Sequence, residues 1–556
     1  MTLGSASPDH AASRELPAND GMEKGPMTER VDVVVVGLGP VGAVMAHLLA
    51  QSGLSVVAVD MSPDIYDKPR AIGIDHESLR LLQQIGIADA LAPYLGGYRP
   101  SEYRSASGQV LRRILPLGEP YPLYWPPYNT FLQPELERLL RESFGRYERL
   151  ETLLGWRAVS FAQTDKEAVV TIESVADGAT RDIRALYVVG CDGAWSPVRE
   201  AMGLKFEDLE FDEPWLVVDA LVGDDVPLPS TTVQYCDPAR PATFVRGPGN
   251  LKRWEIMLLP GEDPAEMVAE ERIWQLLSRW LTPDQGSIWR AATYRFHALV
   301  AESWRAGRYF IAGDAAHQTP PFMAQGLNQG LRDVGNLAWK IVQVVAKGAD
   351  PALLDSYDLE RRPNARSVID LTKTLGRLIC ELDPVAAAAR DERLLEEMRT
   401  GKGEVVRQDL IPPLVGGFLL QGKHGEPSSG TGTAFPQPLV ETDQGERRLD
   451  DVLGHGFLLL VPPSWTPSNQ DLELATRHDV TLVSLGGSQG QVRPLSEQGN
   501  LISAWLERHG CTSVLVRPDH IVFGTSTLDS GPSDLLMALH SARGLRNSDT
   551  PAFATI

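Results

Sequence analysis

The spacing of apolar positions changes several times along this 556-residue chain, and each change marks an element. Val31 to Val36 is apolar except at Asp32, the pattern of a buried parallel strand. Pro40 to Gln51 then reads as a helix and Ser55 to Asp60 as a second strand, which together predict a βαβ unit. Asp75 to Ile85 reads as another helix, stopped by Gly86. Pro134 to Phe144 reads as a further one, with Pro134 suited to a first turn and Gly145 to an end. From 205 to 300 the pattern becomes short alternating runs, such as Trp215-Leu216-Val217-Val218-Asp219 and Trp254-Glu255-Ile256-Met257-Leu258. These predict a largely antiparallel sheet. Tyr309 to Ala312 returns to a buried strand, a long helix follows from about Gly326 to Ala346, and residues 350–400 read as helical. Gly, Ser, Thr and Pro cluster at 423–434, which reads as a linker. Beyond it, strands at Gly456–Val461, Val480–Leu485, Ser513–Arg517 and Ile521–Gly524 accompany a helix-like run, Leu501–Arg508. These predict a separate small α/β domain at 435–556.

The length is too great for one ordinary core and implies two or three domains. A net charge of -21 argues against nucleic acid or an anionic membrane as the main partner, while leaving room for local basic clusters that hold an anionic substrate. Cys191, Cys236, Cys380 and Cys511 form no CxxC and no metal-ligand spacing, so they read as reduced thiols of a cytoplasmic protein, with no metal site expected. No uninterrupted apolar stretch is long enough to span a bilayer; the rich region Val33 to Val59 is broken by glycines, His47 and Gln51. Residues 1–30 are polar and mixed in charge, a disordered tail in composition and not a signal peptide. The chain shows no internal repeat.

Candidate chemistry lies in two glycine-centred loops nearly three hundred residues apart. In Gly37-Leu38-Gly39-Pro40-Val41-Gly42, Gly37 permits the tight turn, Gly39 lets backbone approach a pyrophosphate, and Gly42 lets helix pack on strand. The helix N-terminus then offers free N–H groups to the phosphates, and Asp60 is placed to hydrogen-bond a ribose hydroxyl. This loop alone does not separate FAD from NAD. The second loop is Gly313-Asp314-Ala315-Ala316-His317, followed by Pro320-Pro321 and Gly326-Leu327-Asn328. Asp314, at a strand end, is suited to a ribityl hydroxyl or to an N-cap, and His317 to a solvated loop. The helix from Gly326 directs its positive end at what precedes it, which would stabilise the charge of a reduced flavin. Between the two lies Cys191-Asp192-Gly193-Ala194-Trp195-Ser196-Pro197-Val198-Arg199, which in isolation reads as an Asp-Gly turn with a solvated arginine.

Taken with Pro69-Arg70-Ala71-Ile72-Gly73-Ile74-Asp75, Tyr235-Cys236-Asp237-Pro238-Ala239-Arg240-Pro241 and Glu360-Arg361-Arg362, these stretches resemble the class A flavoprotein aromatic monooxygenases. That group includes para-hydroxybenzoate hydroxylase and phenol hydroxylase, and the match is closest to the 3-(3-hydroxyphenyl)propionate hydroxylases. It runs from about residue 30 to the C-terminus. The resemblance implies an α/β fold: a Rossmann-like FAD-binding domain over 31–204 and 296–422, an inserted antiparallel-sheet substrate domain over 205–295, and a C-terminal thioredoxin-like domain over 435–556. The last lacks a CxxC, so structural or oligomeric support fits it better than redox chemistry. The resemblance also implies that Gly37, Gly39, Gly42 and Asp60 hold the adenosine half of FAD, Arg70 and Gln133 contact the flavin, and Asp192 contacts FAD and NAD(P)H. By the same resemblance Asp314 meets the ribityl chain, and Pro320, Gly326, Leu327 and Asn328 lie beside the isoalloxazine.

The implied reaction is hydroxylation of a phenol, usually ortho to its hydroxyl, through a flavin C4a-hydroperoxide, with O2 and with NADH or NADPH as a transient co-substrate; no second nucleotide-binding βαβ unit is evident. Asp75 and His76 are candidate bases, although Asp75 also reads as a helix N-cap. Tyr235, Arg240 and Arg253 fall on the predicted sheet roofing the pocket, where an arginine could pair a substrate carboxylate. Phe322 and Met323 belong to a run, Pro321 to Gly326, that is less polar than in the closest members and should border the substrate. The expected substrate is a 3-(3-hydroxyphenyl)propionate-like acid. The alternatives are a tailoring hydroxylase of a larger, polyketide-type aromatic and a non-catalytic flavin-binding protein. The protein is expected to be a monomer or homodimer.

Overall fold

The computed structural model describes residues 30–543, except 98, 423–425, 489 and 527–529. The tail expected at 1–30 lies outside the described residues but for Arg30, as do the last residues of the C-terminal domain.

Val31–Val36 forms the centre of an eight-stranded sheet. Its parallel neighbours are Thr180–Gly190 and Val56–Asp60, and Tyr309–Ile311 and Leu150–Leu154 continue the parallel run on either side. Val33, Val34 and Val35 are fully buried, as a strand covered on both faces requires. Helix Pro40–Gln51 begins after Gly39 without a side-chain cap, so its first-turn N–H groups stay open to a ligand. It packs against the long helix Gly326–Val345 at a point where only glycine fits: a Cβ on Gly330 would stand 2.7 Å from Cγ2 of Val41. The antiparallel hairpin Trp156–Gln163 with Ala168–Ser174, attached to Thr180–Gly190, is an addition to the predicted elements.

A nine-stranded sheet faces this domain. Phe206–Val222, Thr232–Cys236, Ala242–Arg246, Leu251–Met257 and Gly286–Ala301 come from the region whose alternation predicted it. The sheet is wider than 205–295, however. Ser101–Ser105, Val110–Leu115 and Glu404–Val406 extend one edge and His317–Gln318 the other. Two of these junctions, Thr232–Cys236 with Ser101–Ser105 and Glu404–Val406 with Val110–Leu115, are parallel. The partners lie over a hundred residues apart, beyond the reach of local patterning.

The C-terminal unit is a five-stranded sheet in the order Arg493–Leu495, Val480–Leu485, Phe457–Val461, Val514–Val516, Val522–Thr525. The first three are parallel and the last two join antiparallel, with helices Asn469–His478, Leu501–His509 and Pro532–Arg543. The described part of the predicted linker is pinned: Gly432 N donates to Val522 O at 2.9 Å and its carbonyl accepts from Leu414 N at 3.0 Å. Buried ion pairs fasten this unit to the rest. Arg80 grips Asp450 at 2.6 and 2.8 Å, and Arg517 reaches Glu360 at 2.9 Å, where Lys340 also arrives at 3.0 Å.

Candidate active site

Three loops meet at the ends of the parallel strands and form the floor of a cavity of about 420 Å³. In the first, a Cβ on Gly37 would lie 2.4 Å from Cys191 O, and one on Gly42 would lie 1.9 Å from Gly37 O. Gly39 has open space above it and borders the cavity. Turn, close approach and packing thus fall on the three glycines as the fingerprint requires. Asp60 secures the turn by accepting from Leu38 N at 2.6 Å and from Ser62 N at 2.8 Å.

In the second loop Asp192 accepts from Val198 N at 3.1 Å; Cys191 and Gly193, not Asp192, border the cavity. Arg199 is not solvated. It is buried and donates to Ala194 O at 2.9 Å and Ala315 O at 3.0 Å, joining the second loop to the third.

In the third loop Asp314 faces the cavity and accepts no hydrogen bond among the described residues. Desolvation by the surrounding protein raises its pKa, with His317 and Arg70 opposing, although the residue itself stays exposed. His317 is fully buried, not solvated, and lies 2.8 Å from Asp333, which also accepts from Gly313 N and Arg361 at 3.0 Å each. Burial works to raise the Asp333 pKa, and His317 and Arg361 more than offset it, so the carboxyl sits below its ordinary value. Gly326 and Leu327 border the cavity at the helix N-terminus. Asn328 does not: its side chain accepts from Asp75 N at 3.0 Å and Ser78 Oγ at 2.8 Å and donates to Ala324 O at 2.9 Å. It holds the preceding loop, which turns through Ala324 at φ 48°, a conformation few residues other than glycine adopt. Gln133 also positions backbone, accepting from Ala71 N at 2.6 Å and Arg70 N at 3.2 Å; both Gln133 and Arg70 border the cavity.

The roof is one face of the nine-stranded sheet. Across it, Val217, Glu255, Thr243 and Gln234 stand in register. Beside them Arg290, Asp219 and Arg253 form a second row. Asp219 is fully buried and accepts from Arg253 at 2.7 and 3.0 Å and from Arg290 at 3.2 Å. The same guanidinium groups donate to the carbonyls of Pro69, at 2.7 Å each, and of Arg70, at 2.8 Å. Arg253 therefore borders the cavity as expected but is committed to holding the Pro69–Arg70 segment. Phe322 and Met323 also border it, Phe322 packing edge-on to Trp215 and Phe296 at 5.6 and 6.2 Å.

Five expected residues lie elsewhere. Tyr235 is on the outer face of its strand, accepting from Trp280 Nε1 at 3.0 Å; side chains alternate, and Gln234 takes the inner position. Arg240 is paired bidentately with Glu262 at 2.6 and 2.8 Å. Pro320 is buried behind Pro321 and does not border the cavity. Asp75 and His76 open onto a different cavity of about 400 Å³ beside the C-terminal unit. There Asp75 caps its helix, accepting from Ser78 N at 3.0 Å, and pairs with Arg332 at 2.5 Å. Neither reaches the floor or the roof as a base. Sequence reasoning passed over Glu255, Asp219, Arg290 and Asp333. The signal for Glu255 was visible, a carboxylate inside the apolar run Trp254 to Leu258.

A glycine cradle at the head of a parallel sheet, an unclaimed carboxylate at Asp314 and an antiparallel roof define a flavin-dependent oxidoreductase, and the open backbone above Gly39 fits the cofactor's pyrophosphate. The FAD binding domain family matches residues 30–372, and the HcaD C-terminal domain family matches 432–541. A 3-(3-hydroxy-phenyl)propionate/3-hydroxycinnamic acid hydroxylase of Burkholderia vietnamiensis (strain G4 / LMG 22486) is 36% identical, over 89% of this chain and 93% of that one. A probable NADH-specific resorcinol 4-hydroxylase of Rhodococcus jostii (strain RHA1) is 33% identical, over 89% and 92%. The solved structure of the flavin-dependent monooxygenase PieE with FAD and substrate superposes with a TM-score of 0.75 at 21% identity, covering 92% of this chain and 99% of that one. The chain belongs to the FAD-dependent aromatic hydroxylases, enzymes that use a reduced nicotinamide as co-substrate. Among the described residues no helix is long and apolar enough to cross a membrane.

Proposed function

We propose that this enzyme hydroxylates a single-ring phenol, ortho to its hydroxyl, consuming NADH and O2. The observation that carries the reading is the meeting of floor and roof across one enclosed cavity. Asp314, Gly326 and Leu327 stand on one side, with Glu255, Gln234 and Phe322 on the other. When bound, FAD supplies hydride acceptance, oxygen activation and transfer of one oxygen atom. The chain's own part is to hold the flavin by the glycine loops, orient the ring between Phe322, Met323 and the sheet, and keep water out. The cavity must take the flavin ring and the substrate together, which favours a small aromatic over a polyketide. A neutral phenol suits it better than a phenylpropionate acid, because both roof arginines are committed to Asp219. In this reading the C-terminal unit is a thioredoxin-like support, clamped to the rest by Arg80 and Arg517.

The purified protein should be yellow, and resorcinol should stimulate NADH oxidation more than 3-(3-hydroxyphenyl)propionate does, with one oxygen atom from ¹⁸O2 in the product. Preference for the acid would return the substrate to the carboxylate class. An absence of oxygenated product from any simple phenol would sink the single-ring reading and leave the tailoring hydroxylase of a larger aromatic.

A further inference from the structure

Within that proposed reaction, we infer that Glu255 is the group that binds the substrate's phenolic hydroxyl and takes its proton. Glu255 sits on the cavity face of strand Leu251–Met257, only 6% exposed, with its side chain bordering the cavity above the floor loops. It accepts no hydrogen bond among the described residues, whereas the other roof carboxylate, Asp219, is saturated by Arg253 and Arg290. A buried carboxyl left without a partner costs free energy unless something else satisfies it. The remaining direction for that partner is the cavity. Its cross-strand neighbour Thr243 donates to Gln234 Oε1 at 2.5 Å, which turns the Gln234 amide into a fixed donor next in the row. Acceptor and donor on the same face of one rigid sheet, separated by Thr243, are complementary to a hydroxylated ring lying between sheet and flavin.

Burial lifts the Glu255 pKa from 4.5 to about 7; Arg253 opposes the rise and Asp219 adds to it. Arg70, Arg290, Arg407 and Asp314 are the other charged groups bordering the cavity. A base with a pKa near the working pH is the most effective kind. In the step itself the phenol O–H bond breaks, the proton passes to a Glu255 carboxylate oxygen, and the electron pair stays on the phenolic oxygen. Nothing is oxidised in this step; the electron-rich ring is thereby prepared for the oxygen transfer that O2 and NADH supply.

The test uses holoenzyme, wild type against Glu255→Gln and Glu255→Asp, with resorcinol as probe. Product formation, bound FAD and the rate of flavin reduction by NADH are followed from acid to alkaline pH. Glu255→Gln is expected to lose about 10²-fold or more of product formation and to lose the acid limb of the wild-type profile, which falls as pH drops through about 7. FAD content and flavin reduction should be little changed, and Glu255→Asp should recover part of the rate. A Glu255→Gln enzyme with wild-type turnover and an unchanged acid limb overturns the assignment. So does parallel loss of FAD and reduction in both variants, which would make Glu255 part of the frame. If wild type itself yields no hydroxylated phenol, the reaction reading fails instead, an outcome distinct from either.

Discussion

The floor and the roof of the active cavity are built on different principles. The floor is backbone: open N–H groups above Gly39, glycines that admit close approach, and a helix N-terminus at Gly326. The roof is side chains, set by cross-strand register, with Asp219, Arg253 and Arg290 locked together and Glu255 and Gln234 facing inward. A backbone floor recognises what every substrate shares, the cofactor. A side-chain roof can change its chemistry at positions such as Glu255 and Gln234, whereas Arg253 and Arg290 tie it to the floor through the carbonyls of Pro69 and Arg70.

The contrast breaks most sharply at Gly42. Gly42→Val would drive a Cβ into Gly37 O, so the purified variant should hold no FAD and melt lower by at least the 1–3 kcal/mol, roughly, of an overpacked site. A yellow, stable variant would show that the floor tolerates side chains after all. On the roof, Asp219→Ala leaves two buried guanidinium groups without their carboxylate. It should destabilise the fold by about 3–5 kcal/mol, read as a drop in denaturation midpoint. Because those arginines also grip Pro69 and Arg70, flavin binding should weaken with it; normal FAD affinity would separate roof from floor completely.

Asp314→Ala removes a charged acceptor from the floor while leaving the loop anchored by Asp333. FAD affinity should fall by about 1.5–3 kcal/mol, measurable by flavin release on dilution. Retained flavin and turnover would remove Asp314 from the ribityl chain. For Glu255 the folded state holds its proton more tightly than the unfolded state, 4.5 rising to about 7. Its contribution to stability is therefore fully present below pH 4.5 and lost as pH rises through 7, a loss of about 3 kcal/mol. Glu255→Gln should melt higher than wild type at about pH 8 and close to it at about pH 5, whatever it does to activity. A melting difference that does not vary with pH would contradict that shift. Least of all, Tyr235→Phe on the outer face should cost about 1 kcal/mol or less through the lost Trp280 bond and leave phenol turnover unchanged.

The parts most legible in the sequence were those that depend on local rules. The run Val31–Val36 forms the strand expected of it, and the three glycines stand in a tight turn between strand and helix, where Gly37 and Gly42 have no room for a Cβ, because such a turn demands specific residues at specific places; Asp60 holds that turn through Leu38 N and Ser62 N. Phe322 and Met323 border the cavity because they adjoin such a loop. Tyr235 and Arg240 did not, because the alternation of a strand says that faces differ without saying which face is inward. Asp75 and His76 follow a segment that the roof arginines hold against the cavity, yet the extended strand Gly73–Asp75 runs away from it and carries them to the other side.

By itself, then, the sequence determined one half of this protein: a parallel sheet, a tight glycine loop and the helix from Gly326, all written in short-range spacing. The tertiary structure alone decided the substrate half. Which carboxylate is neutralised and which is left open depends on strands brought into register from residues 101 to 406, and on arginines that reach from the sheet to the backbone of the first domain. Charge pairing acts through space, and no local pattern records it.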